Sequence, residues 1–473
     1  GAARRWLRGD RRALAGPMCA AMRVAACLLA ALPPARSRAV PAVLPGPPLA
    51  LAQSGAVGAL RGASLDAAGA WRLHDAFQRP VAARVRLTPA ARAPRRRPAT
   101  AQQALLQTED APDDHGIVGG ALGGQLVGSV FAGLPPQEFS VAFDTGSGNM
   151  ILPSSLCGSV ACQAHRQYHA QYSGASLPVA RADDLNATVA AGEPRETVRL
   201  AFGQGAVVGP LASDRVCLGP DENLCAQTGF VEALEMSSTP FLISPYDGVL
   251  GLGLSGLSLR PHFNLMDNLG GAGGRFAVWL ARDGDGEASE ITFGAADGSR
   301  VGSRQVIWQR LARPHVGVWD VAMRDATLGG ELLGACGLGC FAAFDTGTAV
   351  IGGPAGFIAA IRARLGDTGD CEDMDRLPTL GFVIGDKVLR LEPSDYMARE
   401  GDRCLPRLMV IDVPPPKGPL VLLGTPFLSR YYTIYDRQAL MMGVAVARHR
   451  RDEPNSAAVS ARLITDVSDL RAK

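Results

Sequence analysis

From about residue 117 the chain is built of short apolar runs, alternating with polar positions and broken by Gly, Pro and Asp. Gln125 to Ala132 and Gln137 to Phe143 are β-rich runs on either side of Gly133-Leu134-Pro135-Pro136, a strand-turn-strand pattern. Phe276 to Ala281, Arg282-Asp283-Gly284-Asp285-Gly286 and Ile291-Thr292-Phe293-Gly294 predict another hairpin. Its Asp-x-Asp-Gly hints at calcium, but the rest of a calcium-binding loop is missing and a turn is expected. Helical periodicity is scarce. Gly356 to Leu365 is the clearest case, with Phe357, Ile358, Ile361 and Leu365 at helical spacing. The pattern therefore predicts an all-β protein with a few short helices. A boundary between two halves is expected near Ala296 to Ser303, separating residues 117–300 from 301–447. After Ala447 the text is charged and unpatterned, so residues 448–473 are expected to be disordered.

Within the β pattern, Asp-Thr-Gly occurs twice, at Asp144-Thr145-Gly146 and Asp345-Thr346-Gly347, 201 positions apart. Phe139-Ser140-Val141-Ala142-Phe143 leads into the first and Phe341-Ala342-Ala343-Phe344 into the second. Each continues into a hydroxyl residue, Ser147 or Thr348, and an apolar run ending at Pro153 or Pro354. A duplicated strand-loop-strand that delivers one carboxylate per half implies one shared site. Two carboxyls within hydrogen-bonding distance cannot both ionise, so the pair holds one proton over a broad pH range. The ionised member can take a proton from water while its neutral partner donates to a carbonyl oxygen. Gly146 and Gly347 let the backbone turn behind each carboxylate. Thr145 and Thr346 can hydrogen-bond across the two loops, and Ser147 and Thr348 can hold the outer carboxylate oxygens. Which Asp is acid and which is base stays open, because the titration belongs to the pair.

Charge is divided unevenly. Residues 1–116 carry 17 Lys and Arg against 7 Asp and Glu, and residues 117–473 carry 30 against 38. From Met18 or Met22 the chain reads as a secretory signal, with Arg23 as the positive region, Val24 to Leu32 as a short apolar core, and small residues from Ala35 to Ala39. That run is shorter than the ~20 apolar residues a membrane helix needs, and no transmembrane segment is expected in the mature chain. Residues 40–116 are rich in Ala, Pro and Arg, including Arg84-Val85-Arg86-Leu87 and Arg95-Arg96-Arg97, the latter a possible convertase site. A disordered basic linker is the plain alternative there. Cys19 and Cys27 lie in the leader, which leaves eight cysteines in the body, and counting alone leaves their pairing open. An even set points to an oxidising compartment. Cys157-x4-Cys162 followed by His165 and His169 superficially resembles zinc-ligand spacing, but zinc templates place a longer insert between the Cys and His pairs, so no metal is expected. Asn186-Ala187-Thr188 is a candidate glycosylation sequon.

From about Gly116 to Ala447 the chain resembles the pepsin-like aspartic endopeptidases. Besides the two Asp-Thr-Gly loops, the resemblance rests on Gly133-Leu134-Pro135-Pro136-Gln137-Glu138-Phe139, on Tyr246-Asp247-Gly248-Val249-Leu250-Gly251-Leu252-Gly253, and on Val421-Leu422-Leu423-Gly424 with Pro426-Phe427-Leu428 and Tyr431-Tyr432. It implies a bilobal pepsin-like fold, with two pseudo-symmetric β-lobes, a central cleft and Asp144 and Asp345 as catalytic residues. It also implies disulfides Cys157 with Cys162, Cys336 with Cys340 and Cys371 with Cys404, leaving Cys217 with Cys225 as a local fourth bridge. The basic segment would be a propeptide that inhibits its own enzyme by lying across an anionic cleft until acid releases it. The long stretch Cys217 to Pro245 is similar to protozoan members such as the plasmepsins and eimepsins.

Several positions depart from the family pattern. The flap, the hairpin that closes over substrate, fits Leu200-Ala201-Phe202-Gly203-Gln204-Gly205, with Phe202 where Tyr is usual. Ile151 stands where a Trp commonly bonds that Tyr, so both partners of one polar contact are absent together. Ala349 replaces a usual Ser after the second Asp-Thr-Gly-Thr, and Gly148 another. Met150 and Ile151 are expected to help line the pocket beside the flap. The resemblance implies a monomeric zymogen that hydrolyses proteins or peptides between bulky apolar residues, needs no cofactor, binds no nucleic acid, and is sensitive to pepstatin-type inhibitors. It would be secreted or endolysosomal (vacuolar). The alternative is a non-catalytic binding or inhibitor-like protein on the same scaffold, for which the missing flap Tyr is the only support.

Overall fold

In a computed structural model of the chain, the described residues are 70–71, 77, 81–89 and 126–470, apart from 185–188, 190–192, 203–204, 220–222, 283–284, 304, 338 and 451–455. The signal-like region, Arg95-Arg96-Arg97, Gly203 and the Asn186 sequon lie outside them.

The protein is a mostly β, two-lobed molecule of the expected pepsin-like kind. Its larger sheet runs from Val306–Arg310 through Met441–Val446, Tyr431–Asp436, Arg275–Trp279 and Ser289–Phe293 to Ala83–Pro89. From there it enters the first lobe through Leu126–Ala132, Gln137–Asp144, Gly248–Gly251, Met150–Pro153, Cys225–Ala233 and Gly205–Leu218. A nine-stranded sheet organises the second lobe around Cys340–Phe344. Among the described residues, the helix Ala355–Leu365 buries Phe357, Ile358, Ile361 and Leu365, the face its periodicity marked.

The halves repeat one device. The strand Gln137–Asp144 runs parallel to Gly248–Gly251, which pairs antiparallel with Met150–Pro153. Likewise Cys340–Phe344 runs parallel to Val421–Leu423, which pairs antiparallel with Ile351–Gly353. The apolar-apolar-Gly runs noted in the sequence are therefore the strands that flank each Asp loop. They are apolar throughout because both faces of the sheet are covered there, and every residue of the two strands is buried. At Gly251 an added Cβ would lie 2.5 Å from the Gly148 carbonyl carbon, so only glycine lets that strand approach the first loop.

The basic leader contributes a structural strand. Ala83–Pro89 pairs antiparallel with Ser289–Phe293 on one side and reaches Leu126–Val127 on the other, so it joins the central strands to the first lobe. Its alternation is that of a half-buried strand: Val85 and Leu87 point into the core while Arg84 and Arg86 face out.

One expectation is overturned. The segment after Ala447 is not wholly disordered, since Ser456–Leu463 is a helix and Ile464–Asp466 a strand paired antiparallel with Lys387–Leu391. Val459 and Leu463, four apart on one helix face, are buried in the core, and the Tyr431 hydroxyl reaches the Leu463 carbonyl at 3.0 Å. The apolar stripe is too short to stand out among the surrounding charges. At the root of this extension the buried His449 ring lies 2.7 Å from Asp285 Oδ2 and 2.9 Å from the Ser429 carbonyl. Asp285 also accepts from the Arg282 amide at 2.7 Å, as the turn reading of that loop requires.

Candidate active site

Each Asp stands at the end of its strand, and the two loops are locked to each other by their threonines. The Thr145 amide donates to Thr346 Oγ1 at 3.0 Å, and the Thr346 amide donates to Thr145 Oγ1 at 3.0 Å. Each hydroxyl then donates across to the opposite strand, Thr145 to the Phe344 carbonyl at 2.8 Å and Thr346 to the Phe143 carbonyl at 2.7 Å. Both threonines are buried, 1% and 0% exposed, so breaking this reciprocal set would strand polar groups in the core. A short, stiff Thr side chain that both donates and accepts is what such a two-way exchange needs.

The lock brings the carboxyls together. A Cβ placed on Gly347 would lie 2.5 Å from Asp144 Oδ1 and 3.2 Å from Asp345 Oδ1, and one on Gly146 would lie 2.9 Å from Asp345 Oδ1. Each glycine thus vacates the space that the facing carboxyl occupies. The Gly146 amide donates to Asp144 Oδ1 at 2.8 Å and the Gly347 amide to Asp345 Oδ1 at 2.9 Å. The Thr348 hydroxyl donates to Asp345 Oδ2 at 2.6 Å. Its counterpart Ser147 lies close enough to Asp144 to favour its ionised form, but is not aimed as a full hydrogen bond. The site is therefore symmetric in backbone and asymmetric in this hydroxyl.

Both side chains keep some exposed area, yet protein encloses them closely. Burial pushes the Asp144 carboxyl above the ordinary range, and the nearby Asp345 pushes it further. Burial also raises Asp345, against the opposing hydrogen bonds of Thr348 and Gly347. A buried carboxyl pair with raised affinity for protons keeps one of them where an isolated Asp would have lost it. It can then accept a proton and donate one within the same encounter.

Aromatic rings that no motif spacing marked form the floor. Phe276 stacks on Tyr435 at 4.5 Å, and Trp319 meets them edge-on at 5.7 and 5.2 Å. The Trp319 indole donates to the Leu252 carbonyl at 2.9 Å, tying the second lobe to the first just behind Asp144. Asn264 also escaped notice. Its buried amide donates to the Gly253 carbonyl and to Ser258 Oγ, both at 2.9 Å, behind the first loop.

The other expected residues fall in several places. Thr197–Phe202 and Gly205–Leu218 pair as an antiparallel hairpin where the flap is expected, with Phe202 opposite Gly205. The Phe202 side chain lies outside the described set. Gly205 packs so tightly on Ser237 to Pro240 that a Cβ there would lie 2.6 Å from the Thr239 carbonyl oxygen. Met150 and Ile151 do not line an open pocket. Their strand lies between Gly248–Gly251 and Cys225–Ala233, and each is 1% exposed. Met150 enters the main core, while Ile151 joins a second cluster with Val207, Leu211 and Val231 beneath the flap. Packing on both faces of that strand, one residue in each cluster, accounts for the correction. Ala349 is buried, and its carbonyl accepts from Arg407 at 2.7 Å. Four disulfides join Cys157–Cys162, Cys217–Cys225, Cys336–Cys340 and Cys371–Cys404. His165 turns to the Phe241 carbonyl at 2.7 Å. Among the described residues no cluster of three metal-ligating side chains occurs, and no helix is long and apolar enough to cross a membrane.

Two Asp-Thr-Gly loops interlocked at the junction of two β-lobes define the scaffold of an aspartic-type peptidase. The profile of the eukaryotic aspartyl protease family matches residues 125–447, and the chain belongs to that family. It is 31% identical to pepsin II-1 of Oryctolagus cuniculus over 338 residues, which cover 69% of this chain and 82% of the relative. It is 31% identical to cathepsin E of Mus musculus, over 68% of this chain and 80% of the relative. It is 30% identical to a renin of Echis ocellatus, with the same coverage of 68% and 80%. The protein is an aspartic endopeptidase.

Proposed function

We propose that Asp144 and Asp345 are the catalytic pair, activating one water between them for direct attack on a peptide carbonyl. The observation that carries this is the reciprocal Thr145–Thr346 exchange, which holds two carboxyls with raised proton affinity face to face. The ionised carboxylate takes the water proton and the neutral carboxyl protonates the carbonyl oxygen, so no covalent intermediate forms. Four disulfides support an oxidising, secretory-pathway setting, with secretion or endolysosomal delivery as the destination. Cleavage between bulky apolar residues of protein substrates completes the reading.

The test is hydrolysis of a fluorogenic peptide from pH 3 to pH 7, with and without pepstatin. Activity should need the singly protonated pair, so it should be strongest in acid and disappear as pH rises past the raised carboxyl. Silence across that range from folded, processed protein would favour the binding-protein alternative.

The reading extends to a zymogen. The leader strand Ala83–Pro89 occupies a central position in the sheet, and Arg84 bonds Glu290 at 2.5 Å and Asp297 at 2.6 Å. Burial pushes the Asp297 carboxyl up, but hydrogen bonds from Ser299 and Arg84 outweigh it, leaving Asp297 below its ordinary value. A depressed carboxyl contributes stability that is present above its unfolded pKa, near ~3.9, and is lost as pH falls through the lower folded value. The leader strand should thus stay docked at neutral pH and loosen only in strong acid. Hydrogen exchange over 83–89 checks this: Arg84→Gln should move the loosening to higher pH. An unchanged midpoint would remove Arg84 from the latch.

A further inference from the structure

Of the three tyrosines on the strand Tyr431–Asp436, two spend their hydroxyls on the backbone. The Tyr431 hydroxyl donates to the Arg390 carbonyl at 2.8 Å, and the Tyr432 hydroxyl accepts from the Asp297 amide at 2.8 Å. Tyr435 differs. Its ring stacks on Phe276 and meets the edge of Trp319, a packing that a phenylalanine would satisfy equally well. A buried phenol costs stability unless its hydroxyl finds partners. Tyr435 is fully buried, so its oxygen has to be bonded within the core. Thr433, two residues back on the same face of the strand and equally buried, donates to that oxygen at 3.4 Å.

The phenol sits beneath both Asp loops. Trp319, edge-on to the Tyr435 ring, accepts the Phe344 amide on its carbonyl at 3.1 Å. The Trp319 indole holds the carbonyl of Leu252, whose amide donates to the Asp144 carbonyl at 2.8 Å. Burial pushes the phenol far above the ordinary tyrosine range, against the Thr433 hydroxyl; the Asp345 charge raises it further, and the Thr145 hydroxyl within reach opposes this. Tyr435 is therefore a neutral donor and acceptor throughout the acid range. The direction of the bonds follows from the protons available. Thr433 gives its proton to the phenol oxygen, so the phenol proton points onward. Thr346 spends its own on the Phe143 carbonyl. Thr145 gives its proton to the Phe344 carbonyl at 2.8 Å and takes the Thr346 amide at 3.0 Å, which leaves one lone pair for the phenol. The donors then run from Thr433 to Tyr435 to Thr145 to the carbonyl of the peptide that carries Asp345, and donors in series strengthen one another. Among the described residues Thr346 has no phenol partner, so this support is one-sided.

We propose that Tyr435 is a positioning residue for the hydrolysis: its phenol donates to Thr145, adds a third leg to the Thr145–Thr346 lock, and holds the two carboxyls at the separation that lets them share a proton. The proposal rests on the peptide-hydrolysis reading above. Tyr435 does not touch substrate and acts through Thr145 and the Phe344–Asp345 peptide. Without this leg the carboxyls drift apart. Their two titrations then converge, because mutual repulsion and the shared hydrogen bond are what separate them. The pH range over which the pair holds one proton narrows from both ends.

The experiment records kcat and KM against pH, with Tm, for wild type, Tyr435→Phe and the double variant Tyr435→Phe with Thr433→Val. Tyr435→Phe keeps the ring stack and removes the oxygen. It should lower kcat about ten-fold, short of the ~10² that a full displacement of about 1 Å costs, with KM little changed. The two limbs of its kcat profile should move toward each other. It also strands the Thr433 proton, so Tm should fall. The double variant removes that stranded donor. Its Tm should return toward wild type, while the lowered kcat and the narrowed profile persist. A single variant with wild-type kcat and profile width overturns the proposal. So does a double variant whose activity recovers together with its Tm, because the loss would then follow from destabilisation alone. Lowered kcat at unchanged profile width in both variants overturns it too, since the carboxyls would still share their proton as before. Wild type that cleaves no peptide overturns the hydrolysis reading instead.

Discussion

Asp144→Asn should lower kcat for peptide hydrolysis by at least about 10³-fold, the scale of a lost general acid–base group, while KM changes little. An amide of the same shape neither accepts the water proton nor shares one with Asp345. The stability of the variant separates this from misfolding. Burial and Asp345 raise the Asp144 carboxyl in the folded protein. A raised carboxyl makes the fold bind more protons than the unfolded chain, so it costs stability as pH rises from the ordinary carboxylate range through the raised value. Removing it should leave Tm near wild type at pH 3 and raise it at pH 7. A variant that is both inactive and less stable at pH 7 would contradict the account, as would one that keeps hydrolysing.

Gly347→Ala should be nearly as damaging, although it removes no chemical group. The added Cβ would sit 2.5 Å from Asp144 Oδ1 and 3.0 Å from its Cγ, where no real Cβ fits, with Asp345 Oδ1 at 3.2 Å on the other side. The carboxyls must separate or rotate, and displacements near 1 Å at a reacting centre can cost about 10²-fold. Separation also weakens the sharing of a proton, so the acid limb of the pH–rate profile should move. Gly356→Ala is the matching control. It lies in the helix Ala355–Leu365 with nothing within 4 Å of an added Cβ. Alanine there should leave activity untouched and stabilise the fold by up to about 1 kcal/mol. Equal activity of Gly347→Ala and wild type would show that the loops are not fixed as described.

Much of this site was legible because its chemistry is local. Asp-Thr-Gly puts the carboxyl, the cross-linking hydroxyl and the missing Cβ in three consecutive positions, and the duplication announces that the halves meet. The flanking apolar-apolar-Gly strands were legible for the same reason. Contacts between residues far apart in sequence were not. Trp319, Tyr435 and Asn264 act through ring packing and amide geometry, which leave no spacing rule behind. Met150 and Ile151 were misplaced because neighbouring the Asp loop in sequence is not the same as facing it. Both faces of their strand are packed, Met150 into the main core and Ile151 into the cluster with Val207, Leu211 and Val231. The final segment was misjudged because Val459, Leu463 and Ile464 are few apolar residues among many charges, and their value appears only once the nine-stranded sheet offers them a surface.

That final segment also bears on how the protein meets its own copies. Lys387–Leu391 would otherwise end the sheet with a row of open amides and carbonyls, a template on which another chain can add a strand. Ile464–Asp466 occupies that row, with an ion pair between Lys387 and Asp466 at its end. Residues 464–466 thus act as a built-in stopper against edge-to-edge stacking of one copy on another.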